Sequence, residues 1–221
     1  MKLVYPEIDT FFHFGDGTFS SVIIENQNLF YRFIDDLYRQ SCGESGKSIL
    51  SDEDNLLSIS GNLELLTDFF PFEINRKTLL NKIIAKMEKS ACGTEFYETS
   101  QHLLGQIEKL ICDLAFQNDL ELEMPRLSIS SLMKSAGICL KEDYPSLAEK
   151  ILVYLDLMTA HGLASVFVFV NLRSFLDYKT LEAFTDTCCR KEYNILLIDN
   201  KEYDKLSREK RTVIDVDLCE F

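Results

Sequence analysis

The sequence predicts an α/β fold in which both ends of the chain build a head around a parallel or mixed sheet and an all-helical leg is inserted between them. Three observations carry this expectation. Val166-Phe167-Val168-Phe169-Val170 and Ile195-Leu196-Leu197-Ile198 are continuous apolar runs, as expected for strands buried on both faces. A helix capped by Asp177, with Leu181, Phe184 and Cys188 inward, separates them. Strand, helix and strand at this length imply a right-handed crossover and parallel pairing. The middle of the chain, residues 75–137, is mostly helical in pattern. The expected division is residues 1–62 and 146–221 for the head and 63–145 for the leg.

The elements follow in order. Phe11-Phe12-His13-Phe14 and residues 18–24 flank Gly15-Asp16-Gly17, a turn signal that predicts a β-hairpin. Leu29, Phe30, Phe33, Ile34, Leu37 and Tyr38 recur at helical spacing and predict a helix over 28–40. Residues 41–62 are polar and turn-rich, with Leu56, Leu57 and Ile59 in a short strand. Asn75 is placed to cap a helix reaching about residue 90, with Leu79, Leu80, Ile83, Ile84 and Met87 on its buried face. A long helix is expected over 97–118 with the stripe Leu103, Leu104, Ile107, Leu110, Ile111 and Leu114. Ser128 caps a short helix stopped by Gly137, and a helix over 146–161 ends at Gly162. Residues 212–218 alternate as an edge strand does.

The chain has 221 residues, 46% of them hydrophobic, enough for a sizeable core, and a formal net charge of −13. Such a chain repels nucleic acid on average, so contact with DNA requires a local basic surface. No apolar run has membrane-spanning length and no basic-then-apolar leader opens the chain, which predicts a soluble, cytoplasmic protein without membrane partners. Seven cysteines, an odd number with no C-x-x-C pair, predict reduced and mostly buried thiols rather than a zinc site or disulfide framework. His13, His102 and His161 are isolated in sequence and suggest no catalytic arrangement.

Residues 41–48 read Ser-Cys-Gly-Glu-Ser-Gly-Lys-Ser, one glycine short of a phosphate-binding P-loop. Such a loop cradles phosphate in backbone N–H groups between a strand and a helix, with Lys on the phosphates and Ser on magnesium. Here a helix enters the loop and the polar run Ser51-Asp52-Glu53-Asp54 follows it. A solvated turn is one reading; a nucleotide hydrolase using Lys47, Ser48 and Asp199, the last at a strand end, is the other.

Lys82, Lys86 and Lys89 lie at i, i+4 and i+7 on one helix face, behind Arg76 and Lys77 and with Lys134 on the short later helix. They form either a solvated face or a track for DNA phosphates, which gives affinity without sequence choice. No aromatic residues interleave with them, so duplex backbone fits better than stacked single strands. Glu121 and Glu123, close to Asp119, form either a charged loop or part of a calcium site.

Three stretches together resemble the type II-A CRISPR adaptation protein family. They are Leu65-Leu66-Thr67-Asp68-Phe69-Phe70-Pro71-Phe72-Glu73-Ile74-Asn75; Leu120-Glu121-Leu122-Glu123 running to Leu132-Met133-Lys134-Ser135-Ala136-Gly137-Ile138; and residues 166–176 with 195–200. The resemblance implies a degenerate P-loop-ATPase-like head stripped of nucleotide chemistry, with a helical leg. It implies a homotetrameric ring that threads double-stranded DNA ends through a lysine-lined hole, stabilised by calcium. The implied role is non-enzymatic, in spacer acquisition with the CRISPR integrase complex and the effector nuclease. Lys134 falls on a recurrent family lysine, and Glu121 and Glu123 on acidic positions beside the calcium site. Where the family continues with acidic residues, this chain has Met124-Pro125-Arg126. Residues 41–62 are expected to be a variable insertion.

Overall fold

The two apolar runs sit side by side in the computed structural model, which describes residues 1–53 and 55–221. In chain order the strands are β1 (Lys2–Val4), β2 (Phe12–His13), β3 (Phe19–Ile24), β4 (Ile49–Asp52), β5 (Asn55–Leu57), β6 (Leu63–Leu66), β7 (Val166–Val170), β8 (Asn194–Asp199) and β9 (Glu209–Ile214). The helices are α1 (Gln27–Ser41), α2 (Ile59–Asn62), α3 (Lys77–Ala91), α4 (Tyr97–Gln117), α5 (Ile129–Ser135), α6 (Leu147–Ala160) and α7 (Tyr178–Arg190). The chain divides into two compact units, Met1–Ile74 with Asp143–Phe221, and Asn75–Glu142.

The first unit is α/β. Its five-stranded sheet runs β6-β7-β8-β3-β9, and every neighbouring pair is parallel. A second sheet, β2-β1-β4-β5, is antiparallel. The expected hairpin across Gly15-Asp16-Gly17 does not form: β2 pairs with β1, while β3 enters the parallel sheet between β8 and β9. Only the isolated bridge Gly15↔Thr18 remains of it. All six residues of β3 are buried, so it needs cover on both faces, which an exposed hairpin cannot supply.

Residues 63–74, assigned to the leg from sequence, belong to the first unit, because Leu63↔Val166 through Leu66↔Phe169 pair β6 with β7. Residues 41–62 hold β4, β5 and α2, with the chain turning helical at Ile59, where the sequence predicts a strand through Leu56, Leu57 and Ile59. One face of the parallel sheet packs on α1 and the antiparallel sheet, with Phe33 at the centre, 4.8 Å from the Tyr5 ring and 6.0 Å from that of Phe12. The other face carries an aromatic cluster. Phe169 meets Phe184 of α7 edge-on at 5.7 Å, and Phe72 meets Tyr154 of α6 at 5.4 Å.

Ser128 and Asp177 cap the helices the sequence assigned to them, and Asn26 and Ser146 cap two more. Asn26 accepts from Asn28 and Leu29, Ser128 from Ser131, Ser146 from Glu149 and Asp177 from Thr180. Asn75 is different. Its amide pairs with both backbone groups of Leu140 (3.1 and 2.7 Å), tying together the two ends of the second unit. Arg76 takes the cap position of α3 without a side-chain cap bond.

The second unit is helical: α3, α4 and α5. α3 buries Leu79 and Ile84 but leaves Met87 41% exposed. α4 buries only Ser100 and Ala115, and Leu103, Leu110 and Leu114 of its expected inward stripe stay about half exposed. Cys188 and Cys189 are buried while Cys42, Cys92, Cys112, Cys139 and Cys219 are exposed, against the expectation of mostly buried thiols. Among the described residues, no helix is long and apolar enough to cross a membrane.

Leu66 is fully buried in the sheet. Leu66→Ala is expected to lower unfolding free energy by about 2–5 kcal/mol, measured by urea denaturation. A loss below about 1 kcal/mol would place residues 63–66 outside the core.

Candidate nucleic-acid interface

The helical period puts Lys82, Lys86 and Lys89 on one face of α3, with buried Ile84 on the opposite side and buried Leu79 one turn before Lys82 at the edge of the row. All three are exposed, as are Lys77 on the first turn and Lys134 on α5, and Arg76 is half-buried. α5 packs on α3, so the helix carrying Lys134 lies against the helix carrying the lysine row. Among the described residues, no carboxylate lies within 4.0 Å of Lys82, Lys86, Lys89 or Lys134. In a chain of net charge −13, an unneutralised row of one sign is the arrangement that phosphate binding uses.

Glu121 and Glu123 stand exposed on the irregular segment between α4 and α5. Among the described residues, no three His, Cys, Asp or Glu side chains gather as a metal site. Calcium takes 6–8 oxygens, and two exposed carboxylates within one protomer do not fit it.

The near-P-loop is built for another purpose. Ser41 ends α1, and the loop turns back so that Lys47 N and Ser48 N donate to the Asp36 carboxylate at 2.7 and 2.8 Å. Burial works against ionisation of Asp36, but hydrogen bonds from Ser48, Lys47 and Gln40 outweigh it and hold the carboxyl below its usual range. A Cβ on Gly46 would come 2.5 Å from the Gln40 side chain and 2.6 Å from Asp36 Oδ1, so close packing on α1 explains this glycine. Lys47 Nζ pairs with Glu7 at 2.9 Å. The segment leads into β4 of the antiparallel sheet, not into a helix.

Asp199 is committed to an internal ion pair. It ends β8 fully buried, and Arg173 Nε donates to its Oδ2 at 2.9 Å. The other arm of Arg173 reaches Glu209 Oε1 at 2.6 Å, and Arg211 and Ser21 donate to the same carboxylate. Asp199 Oδ1 has no partner among the described residues. Burial therefore pushes the Asp199 pKa up to about 6 despite the guanidinium, whereas Glu209, also opposed by burial, is held below its usual range by Arg211, the Leu206 N–H, Ser21 and Arg173. Sequence pattern gave no warning of this cluster. Arg173 follows β7 in an ordinary Asn-Leu-Arg-Ser turn, and its partners lie 26 and 36 residues away.

Strand order, helical insertion and lysine row can be set beside known proteins. The family model described as CRISPR-associated protein (Cas_Csn2) matches residues 40–218. The chain belongs to the Csn2 family. No curated protein matches it. The Csn2 match begins inside α1 and runs to residue 218, in the segment that follows β9.

Asp199 gives the first unit of this Csn2-family chain a definite pH signature. Its folded pKa lies above the unfolded value, so the native state binds the proton more tightly. The resulting stabilisation is complete below pH 3.8 and is lost as pH rises through about 6. Asp199→Asn should flatten that fall, whose slope is at most about 1.4 kcal/mol per pH unit, in denaturant midpoints taken across this window. An unchanged slope would contradict the assignment.

Proposed function

We propose that this Csn2-family protein binds ends of double-stranded DNA without sequence choice, as a homotetramer acting in CRISPR spacer acquisition with the integrase complex and the effector nuclease, and that it catalyses no reaction. The observation that carries this reading is the exposed, unpaired row Lys82, Lys86 and Lys89 beside the helix of Lys134, in a strongly anionic chain. Lysines on a helix face meet phosphates as point charges, giving affinity and register but no base readout. Arg76 and Lys77 add positive charge at the start of α3. The half-exposed Leu103, Leu110 and Leu114 on α4 support assembly, since apolar patches on a free protomer mark contact surfaces. Calcium bound by Glu121 and Glu123 requires oxygens from a second protomer in this reading.

The degenerate P-loop-ATPase-like head is part of the same proposal. Where β3 runs into α1, only Glu25 and Asn26 intervene, and the Asn26 side chain occupies the helix N-terminus. A phosphate loop needs those N–H groups free. The nucleotide-hydrolase reading finds no assembled site, because Lys47 and Ser48 serve Asp36 while Asp199 serves Arg173. A protein-only scaffold is the remaining competitor.

Replacing Lys82, Lys86, Lys89 and Lys134 together by Glu should abolish gel-shift binding of linear duplex while solution mass is unchanged. In the parent, log affinity should fall with log salt by roughly 0.9 per phosphate contacted, and each single Lys→Ala should shallow that slope by about one. Duplex binding equal to the parent's in the fourfold variant would remove the assignment. Titration calorimetry with ATP and magnesium should show no heat that depends on Lys47. Lys47-dependent binding would restore the hydrolase.

A further inference from the structure

The head carries a second cationic feature, separate from the lysine row. A cavity of about 420 Å³ opens between the segment around β2 and strand β9, lined by Phe11, His13, Lys205, Glu209 and Lys210 among others. That volume lies in the range of small-ligand sites. Lys205 and Lys210 are exposed, and among the described residues neither has a carboxylate within 4.0 Å. Among the described residues Glu209 is the only carboxylate in the lining, and its charge is already neutralised. One oxygen accepts from Ser21, Arg173 and Arg211, and the other from Leu206 N and Arg211. Arg211, also in the lining, is paired with Glu209, so the unpaired charge facing the cavity comes from Lys205 and Lys210, in a chain whose net charge is −13. At the rim, Phe11 shows half its surface to solvent, and Lys2 Nζ stands 5.9 Å from its ring centroid. Exposed His13, on β2, adds ring N–H capacity.

A concave site with two lysines in its lining and a half-exposed aromatic ring fits a phosphate joined to a planar base. Inorganic anions would leave Phe11 unused, and an apolar ligand would leave Lys205 and Lys210 unused. We propose that this cavity binds a phosphorylated nucleotide unit, with the phosphate on Lys205 and Lys210 and the base against Phe11. The unit is either a free nucleoside monophosphate or the 5′-phosphorylated nucleotide of a single strand; both present the same chemistry. The site is independent of the lysine row on α3, since every residue named belongs to the first unit and the lysine row to the second.

Fluorescence anisotropy with a labelled 5′-phosphorylated trinucleotide tests it, alongside the unphosphorylated trinucleotide and competition by dAMP, at low salt on the full chain. The parent should bind the phosphorylated probe at least about tenfold more tightly than the unphosphorylated one. Competition by dAMP would identify a free nucleotide as sufficient; binding of the trinucleotide without competition would identify the strand end. Lys205→Glu with Lys210→Glu, both exposed and so compatible with folding, should weaken the phosphorylated probe by at least about tenfold. Phe11→Ala should weaken it roughly tenfold through lost stacking and leave inorganic-phosphate competition unchanged. Equal binding of the two probes, no binding of either, or an unaffected double variant would overturn the proposal. The duplex gel shift, run on the same variants, should stay at the parental level. If it fails together with trinucleotide binding, both belong to one nonspecific electrostatic surface and the pocket is withdrawn.

Discussion

A five-stranded parallel sheet must be covered on both faces, and nearly everything else in the first unit follows from that demand. β7, β8 and β3 are buried almost throughout. Their Val, Ile, Leu and Phe side chains supply the hydrophobic driving force, while every strand connection must leave the sheet and return. One side is closed by α1 and the antiparallel sheet around Phe33, the other by α6, α7 and the aromatic cluster at Phe169. The inserted helical unit leaves and rejoins the chain between β6 and β7, two neighbouring strands. The Asn75–Leu140 pair closes that insertion at its base.

The same sheet tolerates one cluster of buried charge. Arg173 bridges Asp199 and Glu209, and Arg211 adds a second guanidinium on Glu209. Burying such groups is costly unless they are mutually satisfied, and here one carboxylate oxygen is left without a partner. The cluster links the end of β8, the turn after β7 and the start of β9, so it sets how three segments meet. A strand-end acidic residue that could have held a metal is instead committed to an internal arginine. Similarly, the Lys47 and Ser48 N–H groups of the near-P-loop are committed to Asp36. Both features look like chemistry in sequence and behave as structure in the fold.

Charge elsewhere is arranged in the opposite manner. Lys82, Lys86, Lys89 and Lys134 keep their ammonium groups exposed and unneutralised, although acidic side chains outnumber basic ones, 36 to 23. Three of them share one face of α3, and that spacing makes the row a localised positive field. The half-open apolar stripe of α4 adds a second surface feature that a free protomer does not satisfy.

Periodicity and capping alone determined the α/β class, the two buried strands β7 and β8, the helical middle and most helix ends, because these depend on neighbours within a few residues. The lysine row was legible for the same reason: a helix face is a local property. Tertiary structure decided the rest. It moved residues 63–66 into the sheet, separated β2 from β3, opened one side of α4 and assembled Arg173, Asp199 and Glu209 from distant segments. Strand pairing and ion clustering are long-range choices, made by which apolar faces must be covered, and no local pattern encodes them.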